Sequence, residues 1–289
     1  IGLEIQALIK DHEDTMTNIY RYEDILARKD SMAQVIINEL EEIKQEYKRA
    51  RRTVIDNCEE AVVEEVKVEE MDVMLLVDRF GYARCVDIPT FERNVDAATA
   101  ESKYIVKCKN TGKVCFFTNT GQLHTIKVMD LPFGKFRDKG TPIDNVSNYS
   151  AEKEQIVAVA SQSELNLYRI IFVTKQSMMK IVDGGEFDVM KKTVAATKLA
   201  DDDEVVSVCV IREQTHIVLR SAEGYFLRFQ IDEIPEKKKG AVGVRGMKLS
   251  PKDSVESVHY TGAGFEQTIL YKDKPLELGR LKLGKRDSK

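Results

Sequence analysis

Apolar residues in the first fifty positions recur at alternating spacings of four and three, which is typical of one stripe along an α-helix and of a coiled-coil seam. The first stripe spans residues 1–26 and the second spans residues 32–47. Ser31 and Gln34 have the spacing of a capping box, so we expect the second helix to begin there. The short connection predicts that the two helices pack antiparallel. His12 lies on the first stripe, where we expect it to pack in the seam and not to bind a metal.

From about residue 71 the pattern changes to alternating apolar and polar residues, which is typical of β-strands. One unit recurs: an apolar strand, a polar turn that often contains Gly, a second strand, and then an acidic residue, an aliphatic residue and Pro. Five units are marked in order by four turn residues and a final proline: Gly81, Gly121, Ser177, Gly224 and Pro275. Their spacing of about 40 to 56 residues is the period of a propeller blade.

A second pattern lies between these units. Residues 143–159, 194–210 and 244–258 each contain an aliphatic residue, a polar acidic stretch and then alternating valines. Adding these segments to the hairpins predicts about four strands for each blade. A lone hairpin cannot bury its apolar face, whereas hairpins arranged radially share a core and leave few open edges. The sequence therefore predicts a mainly β, propeller-like body.

Composition narrows the class of protein. The 289 residues are 43% hydrophobic and 32% charged, and no apolar run is long enough to cross a membrane. The chain begins with neither Met nor a signal pattern, so we expect a fragment of a larger protein. The five cysteines are scattered, which predicts core thiols in a reducing, cytoplasmic setting and neither a disulfide framework nor a metal site.

The net charge of -4 is unevenly distributed along the chain. The first 70 residues are acidic and the remainder is mildly basic, which admits a polyanionic partner for the β body. Basic residues gather at the joins between units, around residues 135–139, 237–248 and 280–286. A charge run is usually a solvated loop, but recurrence at equivalent places favours one outer rim that follows an extended polyanion.

No catalytic motif is found in the sequence. The four histidines lie far apart, and the glycine-rich stretch at 240–246 is neither a P-loop nor a dinucleotide fingerprint. The acidic run at 201–204 lies in a loop that is acidic in several repeats, so we interpret it as structural. The sequence therefore predicts no catalytic residue and no bound metal.

Several stretches resemble the A subunit of bacterial type IIA topoisomerases. They are residues 37–44 and 51–53 in the helical part, and the motifs Phe-Gly-Tyr, Phe-Phe-Thr-Asn-Thr-Gly and Gly-Val-Arg-Gly in the repeats. The resemblance spans essentially the whole chain. It implies that residues 1–57 are antiparallel coiled-coil arm helices and that residues 58–289 form the C-terminal β-pinwheel. Such a domain would have about five to six four-stranded blades and a basic outer rim that binds duplex DNA.

The resemblance points to one of two enzymes within that family. A gyrase A subunit carries a basic box, Gln-Arg-Arg-Gly-Gly-Lys-Gly, in its first blade, whereas residues 90–97 here read Thr-Phe-Glu-Arg-Asn-Val-Asp-Ala. We therefore expect a topoisomerase IV A subunit, whose enzyme decatenates and relaxes DNA by ATP-dependent double-strand passage. A divergent gyrase A subunit is the alternative. A protein-interaction propeller without a nucleic-acid role is the competing class.

The resemblance also implies which residues contact DNA. The implied contacts are cations just after the turn residue and in the joins: Arg84, Lys127, Lys135, Arg137, Lys139, Lys180, Arg228, Lys237, Lys238, Lys239, Arg245 and Lys248. His124 in the second unit and Leu227 in the fourth replace a cation after the turn, and we expect weaker contacts there.

The family's catalytic machinery falls outside this chain. The implied tyrosine nucleophile lies elsewhere in the same polypeptide, and ATP and Mg are implied for the cleavage core and the B subunit. We therefore expect no cofactor and no activity from this fragment alone. The implied partners are duplex DNA, a second A subunit and the topoisomerase B subunit, in the bacterial cytoplasm at the nucleoid and without a membrane.

Overall fold

The computed structural model describes residues 2–53, 68–262, 264 and 266–288. The chain divides into two units, Ile1–Glu65 and Val66–Lys289. The predicted boundary between residues 57 and 58 lies outside the described residues.

Two helices form the first unit, α1 (Gly2–Ala27) and α2 (Lys29–Tyr47). Arg28 alone joins them, with an extended backbone (φ -124°, ψ 123°) that ends one helix and precedes the next. The second helix thus begins before the predicted cap. The hydroxyl of Ser31 donates to Asp24 Oδ2 at 2.6 Å and lies within the helix, so the predicted capping box is wrong.

The apolar stripes of α1 and α2 stay exposed. The exposed fraction is 71% for Leu8, 77% for Leu26 and 58% for Leu40, and no residue of α2 is buried. The helical segment is confirmed, whereas the two apolar stripes are not buried in the predicted seam. The antiparallel arrangement of the helices stays a prediction.

The second unit is built from short strands with a few short helices. The strands are β1 (Asp72–Asp78), β2 (Tyr82–Asp87), β3 (Ser102–Lys109), β4 (Lys113–Thr118), β5 (Gln122–Lys127), β6 (Thr141–Pro142), β7 (Ile156–Ser161), β8 (Arg169–Thr174), β9 (Met178–Asp183), β10 (Thr193–Ala195), β11 (Val205–Ile211), β12 (His216–Ser221), β13 (Phe226–Gln230), β14 (Val244–Arg245), β15 (Val255–Thr261), β16 (Thr268–Tyr271) and β17 (Lys274–Glu277). The helices are α3 (Ile88–Glu92), α4 (Val95–Glu101), α5 (Ile143–Val146) and α6 (Gln162–Leu165). The predicted change from helical to alternating pattern is therefore confirmed.

Five antiparallel sheets follow one another along the chain. Their strand orders are β3-β1-β2-β6, β10-β5-β4-β7, β11-β8-β9-β14, β13-β12-β15 and β16-β17. Each of the first four sheets contains a hairpin, and a later strand of the same repeat pairs with the first strand of that hairpin. These later strands, β3, β7, β11 and β15, contact one another in order, so they line the centre of the unit.

The fourth strand of a sheet comes from the following repeat. β6 joins β2, β10 joins β5 and β14 joins β9, each at the outer edge of the preceding sheet. This exchange confirms the propeller-like fold and corrects the strand count. Among the described residues three sheets have four strands, the next has three and the last has two. Five or six complete four-stranded blades are therefore not present in the described part of the chain.

The hairpin turns contain a left-handed residue at the predicted places. Gly81, Gly121 and Gly224 have φ values of 85°, 76° and 88°, and Ser177 has φ 65°. This conformation is costly for a residue with a Cβ atom. The Ser177 hydroxyl accepts a hydrogen bond from the Met247 N–H at 2.7 Å, a contact that glycine cannot make and that offsets part of this cost.

The apolar cores lie between neighbouring sheets. Leu75 of the first sheet shares a cluster with Phe116 of the second, and Phe117 of the second shares another with Phe172 of the third. A third cluster joins the third and fourth sheets. The other face of the first sheet is covered by α3 and α4, where Ala98 is buried. The sheets are thus held face to face, which leaves their outer edges free for other contacts.

Candidate nucleic-acid interface

Four segments cross from one repeat onto the outer strand of the preceding sheet, and we call them the exchange segments. They are residues 133–142, 188–195, 236–245 and 282–288. A backbone hydrogen bond joins each to that strand: Gly134 N–H to Cys85 O (3.2 Å), Thr125 N–H to Lys192 O (2.8 Å), Lys237 N–H to Ile181 O (2.8 Å) and Gly284 N–H to Arg228 O (2.7 Å). The exchange segments therefore lie at the outer edge of four sheets, opposite the strands that line the centre.

Basic residues dominate every exchange segment. Each segment has one acidic residue against two to four basic residues. The basic residues are Lys135, Arg137, Lys139, Lys191, Lys192, Lys237, Lys238, Lys239, Arg245, Lys282, Lys285 and Arg286. Cations gathered along one edge raise the local concentration of a polyanion. The outer edge of the unit is therefore the candidate nucleic-acid interface.

Most of the predicted contact residues lie exposed along this edge. The exposed ones are Lys127, Lys135, Arg137, Lys139, Lys237, Lys238, Arg245 and Lys248, and Lys239 is partly exposed. Of these, Lys127 ends β5 and Lys248 follows the third exchange segment. The topology brings cations that are far apart in sequence to one edge, and their contacts with DNA stay a prediction.

Two carboxylates already occupy part of this basic edge. Glu186 Oε1 lies 3.2 Å from Lys238 Nζ, and Glu186 Oε2 accepts from the Lys239 backbone N–H at 3.0 Å. The hydrogen bond from Lys239 and the Lys238 ammonium hold the pKa of Glu186 below its ordinary value, so this carboxylate is ionised at neutral pH. Asp287 pairs with Arg245, with Arg245 Nη2 donating to Asp287 Oδ2 at 3.2 Å. A phosphate that binds Lys238 or Arg245 must compete with a carboxylate.

One position of the outer strands carries a polar side chain in three consecutive sheets, and we call it the anchor position. It is occupied by Arg84, His124 and Lys180, which lie opposite Leu76, Phe116 and Phe172 in their hairpins. The residue after each of them makes the backbone hydrogen bond to the exchange segment, and Arg228 makes that bond in the fourth sheet. Leu227, which lies opposite Leu219, therefore occupies the anchor position of the fourth sheet, as predicted.

Lys180 is fully buried, with 0% of its surface exposed. Its ammonium donates to the carbonyl oxygens of Lys238 (3.3 Å), Lys239 (2.6 Å) and Ala241 (2.7 Å). Burial lowers the pKa of Lys180 to about 8, although Glu186 acts in the opposite direction. A phosphate cannot reach this ammonium without displacing the third exchange segment. The prediction of a direct DNA contact at Lys180 is therefore wrong.

Arg84 and Arg228 are also largely enclosed. The Arg84 side chain is 12% exposed, and its Nη2 lies 3.5 Å from Glu101 Oε2. The Arg84 guanidinium carbon lies 5.3 Å from the centroid of the Phe136 ring. Arg228 Nη1 donates to the Leu281 carbonyl oxygen at 3.2 Å. The Nε atoms of both arginines are buried without a hydrogen-bond partner among the described residues. Both guanidinium groups thus contact the following repeat more than open solvent.

The segment that stands in place of a basic box is helical. Asp87 Oδ1 accepts from the Thr90 N–H at 2.6 Å and caps α3, which is followed by α4. Together with the first exchange segment, α4 encloses a cleft of about 660 Å³ whose lining includes Arg84, Glu101 and Arg137. The carboxylates of this segment reduce the positive charge of the first sheet at the place where a basic box would increase it.

Two cations of the interface, Lys191 and Lys192, are missed by the sequence analysis. They lie in the second exchange segment and are exposed. The third repeat ends in Gly-Gly-Glu-Phe instead of an acidic residue, an aliphatic residue and Pro. The join after it therefore lacks the motif that marks the other joins. Counting from the turn residue Ser177 is the signal that places both lysines in an equivalent segment.

The described part of the chain contains no group of three or more His, Cys, Asp or Glu side chains placed to hold a metal ion. Burial raises the pKa of the Cys85 and Cys115 thiols to about 12, so both are protonated core thiols at neutral pH, as predicted. None of the described helices is long and apolar enough to cross a membrane.

The sequence is similar to the A subunit of DNA gyrase. Residues 168–211 and 215–261 match the family model described as DNA gyrase C-terminal domain, beta-propeller. The A subunit of DNA gyrase from Lawsonia intracellularis is 29% identical over 270 residues, which cover 88% of this chain and 32% of that protein. The chain therefore spans about one third of the length of this curated relative.

Structural similarity agrees with the sequence similarity. The C-terminal domain of DNA topoisomerase IV matches with a TM-score of 0.67 and 22% identity, covering 76% of this chain and 72% of that chain. The C-terminal domain of DNA gyrase A matches with a TM-score of 0.53 and 16% identity, covering 75% of each chain. At these identities the structures establish the fold. Together with the sequence matches, they show that the chain is similar to the C-terminal region of type IIA topoisomerase A subunits.

Proposed function

We propose that the β unit binds duplex DNA along its outer edge, with the backbone phosphates held by exposed cations of the exchange segments. The observation that carries the proposal is recurrence, since four consecutive sheets each present a segment with excess positive charge at the same edge. Contacts of this kind position a duplex without reading its sequence. Binding is expected to weaken with salt by about 0.9 in log K per tenfold salt increase for each phosphate neutralised.

We propose further that this region serves a topoisomerase IV-like enzyme, in which it orients a DNA segment without wrapping it. Support comes from the helices α3 and α4 in place of a basic box, and from the TM-scores of 0.67 and 0.53 for the topoisomerase IV and gyrase domains. A gyrase function is the second candidate, because the family model and the Lawsonia intracellularis relative are both gyrase A.

For the whole protein we infer the activity of a type II topoisomerase, an ATP-dependent isomerase that decatenates and relaxes DNA. In that enzyme the region described here contributes DNA binding and no bond chemistry. The partners are a second copy of the full-length chain and a topoisomerase B subunit, while ATP and Mg are bound outside this chain. The setting is the bacterial cytoplasm at the nucleoid.

Ligation of nicked plasmid tests whether the β unit binds DNA and whether it changes the path of the bound DNA as a gyrase domain would. The plasmid is sealed in the presence of the protein, and the linking number is read after the protein is removed. Salt-sensitive binding with little change in linking number supports the topoisomerase IV-like function. A large change that grows with the amount of protein favours gyrase. Absence of binding at low salt overturns the DNA-binding proposal and favours a protein-interaction propeller.

A matched pair of triple variants tests the position of the interface. In the first, Lys237, Lys238 and Lys239 of the third exchange segment are changed together to Glu. The control makes the same charge change at exposed lysines outside the exchange segments: Lys153, Lys198 and Lys252. DNA retention is expected to be lost in the first variant and kept in the control. Equal loss in both variants would contradict the assignment of the outer edge.

A further inference from the structure

We propose that the anchor side chains fix the place of the DNA interface: one enclosed polar side chain in each of the first three sheets holds the exchange segment of the next repeat where its exposed cations meet phosphate. This inference rests on the proposed DNA binding. It assigns Arg84, His124 and Lys180 to positioning and not to phosphate contact. Register, burial and contacts each support the assignment.

In each of the first three sheets the anchor side chain reaches the exchange segment of the following repeat. The contacts are Arg84 with the Phe136 ring (5.3 Å to the centroid), His124 Nδ1 with Thr193 Oγ1 (3.1 Å) and Lys180 Nζ with the Ala241 carbonyl oxygen (2.7 Å). Three different side chains at one register position thus meet the same element of the fold, which indicates a shared role.

His124 shows that the contact at this position can be made by a polar head group without a permanent charge. Its ring is 2% exposed, and its Nε2 lies 2.9 Å from Glu154 Oε1. Burial acts to raise the pKa of Glu154, but hydrogen bonds from Thr118 and His124 outweigh burial, so that this pKa lies below its ordinary value. The second exchange segment is therefore held through a hydrogen-bonded imidazole where the neighbouring sheets use a guanidinium or an ammonium.

The exchange segments need this support because their strand pairing is short. β6 and β14 contain two residues each and β10 contains three. Every segment also carries at least two cations, which repel one another at close range. Few backbone hydrogen bonds thus oppose this repulsion, and an additional contact to the sheet decides where the segment lies.

The third exchange segment shows the strongest form of this contact. Carbonyl oxygens of Lys238, Lys239 and Ala241 converge on the Lys180 ammonium, which has three N–H donors for three acceptors. An apolar side chain at this position would leave these carbonyl oxygens without that donor, which is costly for a buried acceptor. The loop that presents Lys237 and Lys238 would then lose its fixed place.

The test compares a buried and an exposed positive charge near the same segment. Lys180→Met removes the anchor donor, whereas Lys237→Met removes one exposed cation and leaves the anchor intact. Lys180→Arg keeps a donor of the kind that the first sheet already uses. Duplex DNA affinity is measured over a range of salt on the full chain, and hydrogen exchange of residues 236–245 is measured without DNA.

We expect Lys237→Met to weaken binding about two- to threefold and to reduce the slope of log K against log salt by about one. Lys180→Met is expected to weaken binding about tenfold, to reduce the slope by more than one, and to speed hydrogen exchange in residues 236–245, because several cations lose their place together. Lys180→Arg is expected to keep most of the DNA affinity and most of the protection from hydrogen exchange in residues 236–245. If Lys180→Met unfolds the whole unit, Arg84→Met carries the same comparison at residues 133–142.

Two negative results are distinguishable. Unchanged hydrogen exchange in residues 236–245 of Lys180→Met, with a loss of affinity no greater than that of Lys237→Met, would overturn the positioning role. A wild-type chain that fails to bind duplex DNA at low salt would instead overturn the proposed function, and the hydrogen-exchange comparison would still test whether Lys180 holds the segment.

Discussion

Glu186 competes with DNA for Lys238, and neutralising this carboxylate is expected to strengthen DNA binding. Glu186 Oε1 lies 3.2 Å from Lys238 Nζ, whereas the Lys238 side chain is 89% exposed and so remains open to a phosphate. Glu186→Gln removes the charge but keeps an amide oxygen that can accept the Lys239 N–H now bound by Glu186 Oε2. The change is therefore expected to free Lys238 without altering the shape of the third exchange segment.

The expected change in DNA affinity follows from the solvent exposure of the ion pair between Glu186 and Lys238. Solvent-exposed ion pairs are typically worth about 0–1 kcal/mol, which corresponds to at most about a fivefold change in affinity. Contacts with Lys239 and Lys238 hold the pKa of Glu186 below its ordinary value, so the competing charge is present at neutral pH. A freed Lys238 neutralises one more phosphate, and the salt slope is expected to steepen by about 0.9.

Fluorescence anisotropy of a labelled duplex at several salt concentrations measures both quantities. We expect Glu186→Gln to bind about two- to fivefold more tightly than wild type. The gain is expected to disappear when Lys238→Met is also present, which a double-mutant cycle determines. An unchanged or weaker affinity in Glu186→Gln, or a gain that persists without Lys238, would refute competition between this carboxylate and DNA.

Two further predictions concern stability. Phe117→Ala is expected to destabilise the β unit by about 3–5 kcal/mol, because Phe117 is 1% exposed and meets the rings of Phe172 and Phe187 at centroid distances of 5.7 and 5.5 Å. Urea unfolding measures this loss, and a loss below about 1 kcal/mol would contradict a core between these sheets. Burial lowers the pKa of Lys180 to about 8 from its usual 10.5, so the unfolded chain binds more protons between these values. The free energy of unfolding of wild type, minus that of Lys180→Met, is therefore expected to rise with pH between about 8 and 10.5. A difference that does not change with pH would show that the pKa of Lys180 is ordinary.

The local elements of the fold are predictable because they depend on neighbours in sequence. Gly81 and Ser177 lie in left-handed turns where the repeated unit places them, since hairpin turns select residues for their backbone conformation. The change from helical to alternating spacing near residue 71 likewise predicts where strands begin. The capping box at Ser31 fails because its hydroxyl has a nearer partner in Asp24 of the preceding helix.

Contacts between repeats are not visible in a local pattern. Lys180 alternates with apolar neighbours as an exposed cation would, yet residues 236–245 cross over it and bury it. The spacing of apolar residues predicts that α1 and α2 are helical, but it does not show whether their stripes are buried, and both stripes are exposed.

The sequence by itself determined the helical segment, the repeated hairpins, the gathering of cations at the joins and the resemblance to the type IIA topoisomerase family. Only the tertiary structure decided which of those cations face solvent and which hold the interface in place. Lys180 and Ala241 are 61 positions apart and meet because each repeat supplies the outer segment of the preceding sheet. Burial of a side chain depends on every segment packed around it, and strand exchange places the decisive segment in the next repeat.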